Sequence, residues 1–237
     1  GRRMRGRLLW VLHAHLPFVR HPEHPRFFEE DWLFEAQEAV YLPLLEVFEG
    51  WLEDRVDARV TLSVSPSLAA MWQDHLLQAR FRAYLDRRSA LFHDERRRLG
   101  RDPVFGPLAE AEAARVSRAR RTYERIGGDL AGAFRRQAEA GALELATSSL
   151  THALLPAFAS CPGFAQRQIE AATRLHASRF GRPPLAFWLP ECAWWDGAGA
   201  ALAAAGVRAT VLEGHGLVHG APPAACGVSR PAVTSSG

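Results

Sequence analysis

An α/β fold of parallel strands is predicted by three features of this chain. Five short apolar segments have strand character, helical segments alternate with them, and ionisable residues gather where the strands end. Residues 8–15 (LLWVLHAH) form an apolar run that reads as a buried strand ending in His13 and His15, with Trp10 as a core residue. From Leu33 to Leu52 the period changes to that of a helix. Leu33, Val40, Tyr41, Leu44, Leu45, Phe48 and Leu52 share one face, and Pro43 is expected to bend it. Residues 58–65 (ARVTLSVS) return to strand character, and a βαβ start implies parallel strands joined by a right-handed crossover.

Residues 67–140 are helical and charged, with breaks near Gly100–Pro107 and Gly127–Gly128, and are too long for a simple crossover. They read as a helical insertion. Strand signals recur at 143–149, 185–190 and 209–213, separated by helices near 163–180 and 197–205. Five parallel strands fit either an open doubly wound sheet or an incomplete barrel, and periodicity alone does not separate the two. At 237 residues and 48% hydrophobic, the chain suffices for one large domain or two modest ones, not for a disordered segment.

Composition removes several function classes. All 29 basic residues are Arg, which excludes Schiff-base, phosphate-loop and carbamylated lysines. The Arg clusters at 80–101 and 115–136 are interrupted by Asp86, Asp94, Glu95, Glu110, Glu112 and Glu124, so they read as solvated helix faces rather than a nucleic-acid surface. No apolar stretch approaches the roughly 20 residues of a membrane span, and Leu8–Leu12 is too short for a signal-peptide core. Cys161, Cys192 and Cys226 are odd in number and lack CxxC spacing, so no disulfide framework or zinc knuckle is expected. A cytoplasmic protein without nucleic-acid or membrane partners is the expectation.

Both parallel-sheet architectures place ligands at the carboxyl ends of strands. His13 and His15, two apart, point to one face of the first strand, where such a pair can hold a metal, bind a polyhydroxylated ligand or serve structure alone. The third strand leads into Thr147, Ser148, Ser149, Thr151 and His152. A capping turn explains the hydroxyls but not the imidazole. The fourth strand ends Phe187-Trp188-Leu189-Pro190-Glu191-Cys192. A carboxylate just beyond an apolar, aromatic strand must be paired, hydrogen-bonded or used. The fifth strand offers Glu213 and His215, which also fit a polar loop. Trp188, Trp194 and Trp195 flank Glu191, and Phe18 and Trp32 follow the histidine pair. Aromatic faces of this kind pack against the C–H faces of sugar rings.

These segments resemble the conserved regions of glycoside hydrolase family 57. HAHLPFVR at 13–20 is similar to its first region, ELATSSLTH at 144–152 to its second, and FWLPECAWW at 187–195 to its third, which carries the nucleophile. The HAHLPF form with ECAWW is more similar to the family's branching enzymes than to its amylases. The resemblance implies that residues 7–237 are the N-terminal part of a (β/α)7 barrel, with the insertion at about 67–140 and with the barrel-closing strands and C-terminal helical domain outside the chain. It implies a retaining, metal-independent reaction, without a cofactor, on an α-1,4-glucan such as glycogen or amylose. Glu191 would be the nucleophile, and His13, His15 and His152 would line the donor-sugar subsite. Trp188 and Trp32, from their aromatic faces, and Glu213, from its strand-end position, are further candidate substrate contacts. The family's acid/base is an Asp on a later strand, so these 237 residues alone are expected to be weakly active or inactive.

Within the family, an α-amylase or 4-α-glucanotransferase is the alternative. Outside it, a zinc-dependent amidohydrolase or polysaccharide deacetylase would use the three histidines as ligands and Glu191 as base. A non-catalytic glucan-binding fragment is the remaining reading.

Overall fold

The computed structural model of the chain describes residues 8–161, 163–224 and 227–234. Cys161 and Cys192 are free thiols, and Cys226 lies outside the described residues. In chain order the elements are β1 (Val11–Ala14), α1 (Glu30–Ala36), a π turn (Gln37–Tyr41), α2 (Leu42–Glu53), β2 (Val60–Val64), α3 (Pro66–Gln73), α4 (His75–Leu99), α5 (Phe105–Arg125), α6 (Leu130–Glu139) and β3 (Leu143–Ser148). A 3-10 turn (Leu155–Phe158), α7 (Phe164–Phe180), β4 (Ala186–Trp188), a second 3-10 turn (Pro190–Cys192), α8 (Ala198–Ala204), β5 (Ala209–Val211) and α9 (Gly214–Val218) follow.

These elements form two compact units, one holding the strands with α7–α9 and the other holding α1, α2 and α4–α6, with the chain passing between them within α3. The sheet has the order β1-β2-β3-β4-β5 and every pair is parallel. That order resolves the ambiguity left by periodicity. A doubly wound sheet reverses its strand order at a switch point, which puts helices on both faces. Consecutive neighbours joined by right-handed crossovers instead put every connection on one face, and the sheet curls toward closure. The result is an incomplete α/β barrel. Leu155, Ile169, Ala172, Phe187, Leu189, Leu202 and Val207 form a buried cluster in this unit, with Trp195 packed against it.

The first strand corrects an expectation. Leu8, Leu9 and Trp10 precede β1 and are 80%, 72% and 55% exposed, so Trp10 is not a core residue. Strand period explains much of this, because residues 8, 10 and 12 face away from the side that carries His13. β1 is also the edge of the strand order, where no strand among the described residues pairs on its far side.

The helical unit contains more than the predicted insertion, since it draws in α1 and α2. The bend expected at Pro43 takes the form of the π turn just before it. A proline has no N–H to donate, and a π turn accommodates the break by adding a residue to the helix. That extra residue rotates the buried face. Phe34, Leu42, Leu45 and Phe48 are buried, whereas Val40 and Leu52 of the predicted stripe are exposed. An aromatic core closes the unit: Phe81 meets Tyr123 edge-on at 4.7 Å, and Trp72 stacks on Phe134 at 5.6 Å.

The arginines of α4 and α5 are largely spent on carboxylates within the unit. Arg96 meets Glu110 at 2.5 Å, Arg120 meets Asp86 at 2.6 Å and Arg115 meets Glu112 at 2.6 Å. Among the described residues no helix is long and apolar enough to cross a membrane.

Candidate active site

The carboxyl ends of β1–β4 assemble a hydrogen-bonded aromatic wall. The register pairs His13 with Ser63, and the His-x-His of β1 lies beside the Ser-x-Ser that ends β2. His13 Nδ1 is 3.2 Å from Ser63 Oγ, and the Ser63 hydroxyl donates to the Thr147 carbonyl at 3.3 Å. A hydroxyl that donates its one hydrogen there receives the next bond, so His13 carries its proton on Nδ1. Its Nε2 is then an acceptor, and His152 Nε2–H donates to it at 3.0 Å. His15 Nδ1 meets Ser65 Oγ at 3.0 Å. Ser63 and Ser65 were not singled out from the sequence. Their signal was the matching period of two in HAH and SVS, which points both pairs to one face only once the register is known.

The rings are layered. His15 stacks on His152 at 3.6 Å, and Trp188 stacks on His13 at 4.5 Å with 9° between planes. Burial holds His13 at a pKa of about 4, with His152 and His15 adding repulsion. Burial first, and then His152, holds His15 at about 4. Burial also lowers His152, but the Glu191 carboxylate opposes that shift. The result is a set of neutral imidazoles beside one anion. Among the described residues no group of three or more His, Cys, Asp or Glu is arranged to hold a metal ion.

Glu191 lies in the 3-10 turn after β4, with its backbone in the left-handed region at φ 55° and ψ 22°. For a residue with a Cβ this conformation costs about 1–2 kcal/mol. The structure corrects the expectation that Glu191 is poorly solvated: the residue is exposed, so water can meet its charge, and no arginine among the described residues pairs with it. Its charge is felt instead by His152 and by Cys192, whose thiol is raised by burial, by Glu213 and by Glu191.

The remaining candidates are more dispersed. Glu213 follows β5, with its mostly exposed side chain 3.8 Å from His215. Trp194 is 38% exposed, while Trp195 packs into the core. Trp32 and Phe18 belong to the helical unit, where Trp32 is exposed and meets Phe28 edge-on at 6.2 Å.

The two neutral histidines make stability depend on pH. Above pH 6.5 they are neutral whether folded or unfolded and contribute nothing to the slope. Between 6.5 and about 4 the unfolded chain takes up protons that the folded chain refuses, so stability falls with pH and levels off below. A His13→Gln, His15→Gln variant is therefore expected to lose less of its urea midpoint between pH 7 and 4.5 than the parent. Equal losses would show that neither imidazole is held neutral.

Fold and site together define an α/β-barrel protein whose polar and aromatic groups gather at the carboxyl ends of its strands, the disposition of barrel enzymes. The chain belongs to glycosyl hydrolase family 57, whose model matches residues 9–232. It is 32% identical over 196 residues to a 1,4-alpha-glucan branching enzyme of Thermococcus kodakarensis, covering 81% of this chain and 28% of that protein. It is 29% identical over 232 residues to a probable 1,4-alpha-glucan branching enzyme of Mycobacterium tuberculosis, covering 91% of this chain and 43% of that one. The chain thus spans less than half the length of either relative.

Two solved structures share its fold. The alpha-amylase AmyC of Thermotoga maritima superposes with a TM-score of 0.92 at 30% identity, covering 99% of this chain and 45% of that one. A branching enzyme of the family-57 type from Pyrococcus horikoshii gives 0.83 at 27% identity, covering 91% and 43%.

Proposed function

We propose that this chain is the N-terminal part of a retaining α-glucan-active enzyme whose reaction is 1,4-α-glucan branching through a glycosyl-enzyme on Glu191. The observation that carries this reading is an exposed strand-end carboxylate held in a left-handed turn, whose charge is felt at the imidazole of His152. A neutral His13–His152 pair offers nitrogen donors and acceptors to sugar hydroxyls, and Trp188 supplies a stacking face; Trp32, in the helical unit, is a separate candidate sugar contact. Glu213 is a further acceptor at the neighbouring strand end.

In the reaction, Glu191 attacks the anomeric carbon as the α-1,4 bond breaks, and the departing oxygen takes a proton from an acid/base Asp outside this chain. A glucan 6-hydroxyl then gives its proton to that Asp and attacks the glycosyl-enzyme, releasing Glu191. Identity to branching enzymes in two organisms supports transfer over hydrolysis. Hydrolysis is the second reading, favoured by the closeness of the fold to the amylase AmyC.

Product analysis separates them. The protein that carries this chain, incubated with amylose, is expected to build α-1,6 linkages seen as a new anomeric proton resonance, with little gain in reducing ends. Reducing ends that rise without α-1,6 linkages would assign water as the acceptor. Glucan affinity with neither product would identify a binding module.

A further inference from the structure

Four described residues other than glycine have a positive φ: Arg55 at 55°, His152 at 55°, Glu191 at 55° and Cys192 at 52°. Three of the four stand at the candidate site. At Glu191 and Cys192 the cause is a pair of overlapping turns. The Leu189 carbonyl accepts from Cys192 N–H at 2.8 Å, and the Pro190 carbonyl accepts from Ala193 N–H at 3.1 Å.

The first turn has proline in second place and a positive φ in third, the type II pattern that favours glycine or asparagine where Glu191 stands. The second has positive φ at both central residues, the type I′ pattern that favours asparagine and glycine where Glu191 and Cys192 stand. The local sequence therefore opposes the conformation it adopts, and its flanks impose it. Leu189 on one side is fully buried, and Trp195 on the other packs against the same core cluster.

We propose that this double left-handed turn is the positioning device of the site, and that Cys192 acts through its backbone to set the direction in which the Glu191 carboxylate leaves the end of β4. Cys192 is thus a positioning residue, and its thiol has no chemical role. The proposal rests on the reading of Glu191 as the working carboxylate. In an extended or right-handed backbone at 191–192 the chain would leave β4 in another direction and carry the carboxylate away. Outlying backbone conformations that the surroundings over-determine are characteristic of such sites.

Side chains differ in their tolerance of the left-handed region. Asparagine accepts it, serine resembles cysteine in size without the sulfur, and β-branched valine is the least compatible. The histidine beside Glu191 provides a readout that does not depend on turnover. Burial lowers the His152 midpoint, the Glu191 anion raises it, and the facing His13 and His15 stay neutral down to about pH 4.

NMR titration of the His152 ring is expected to give the parent midpoint in Cys192→Asn and Cys192→Ser, and a lower one in Cys192→Val, shifted in the same direction as in Glu191→Gln. In the protein that carries this chain, Cys192→Val should lose on the order of tenfold or more in kcat with KM little changed, and Cys192→Asn should restore it. An unshifted His152 midpoint in Cys192→Val would overturn the proposal. So would losses of the same size in all three variants, which would give the role to the thiol.

If Cys192→Val fails to fold, the thermal midpoints decide. Cys192→Asn should melt above Cys192→Ser, and the reverse order would refute a strained turn. A His152 shift in Cys192→Val without any change in turnover there or in Glu191→Gln would leave the positioning intact and remove the nucleophile assignment.

Discussion

In the protein that carries this chain, and if Glu191 has the proposed nucleophilic role, replacing Glu191 by Gln is expected to lower turnover on amylose by about a thousandfold or more while leaving glucan affinity within a few-fold of the parent. The two side chains have nearly the same shape and reach, so the turn after β4 and the layered rings beside it have no steric reason to move. What disappears is the negative charge that would bond to the anomeric carbon. An independent signature accompanies the loss: the carboxylate that raises the His152 midpoint is gone, so that midpoint falls further below its usual value. A structural role predicts a different pattern. With no arginine partner among the described residues there is no ion pair to break, and the melting temperature should hardly change. A variant that keeps most of its activity would remove Glu191 as nucleophile, and one that melts much lower would make it a structural group.

The largest stability effect is expected in the helical unit, at Glu30. Its carboxylate is 1% exposed and bonds Arg80, whose side chain is 14% exposed. Glu30 also accepts the His21 N–H at 3.0 Å, while Arg80 donates to the carbonyls of His21 and, with a shorter contact, His24. One guanidinium from α4 thereby ties the segment after β1 to the start of α1. Glu30→Ala leaves a mostly buried cation without its anion. Breaking one side of such a pair costs about 3–5 kcal/mol, because the remaining charge has been removed from water without compensation.

The two carbonyls that stay on Arg80 place Glu30→Ala near the lower figure. About 3 kcal/mol in a chain of this size lowers the melting temperature by roughly 6–12 °C. A double replacement, Glu30→Met with Arg80→Met, should recover much of the loss by removing both charges. If the single variant melts within a degree or two of the parent, the pair is solvated and contributes little. If the double variant loses as much as the sum of the singles, the two groups are not coupled.

What this sequence determined by itself are properties set by neighbours along the chain. Strand-like apolar runs at 58–65 and 143–149, the helical stretches near 163–180 and 197–205 and the glycine-marked breaks between helices locate the elements to within a few residues. The period of two also placed His13 and His15 on one face, whereas the apolar run before Glu191 suggested a poorly solvated carboxylate that the structure leaves exposed.

Tertiary structure decided whatever depends on residues far apart in sequence. The strand order chose barrel over doubly wound sheet, because local periodicity is the same in both. His13 finds Ser63 fifty positions away and His152 at a separation of 139, so its tautomer could not be read from either segment alone. The π turn before Pro43 moved Leu52 off the buried face, since one added residue rotates everything after it, and Val40 within the turn is also exposed. Glu191 and Cys192 adopt a backbone that their own side chains disfavour, and packing at Leu189 and Trp195 is what outweighs that local preference.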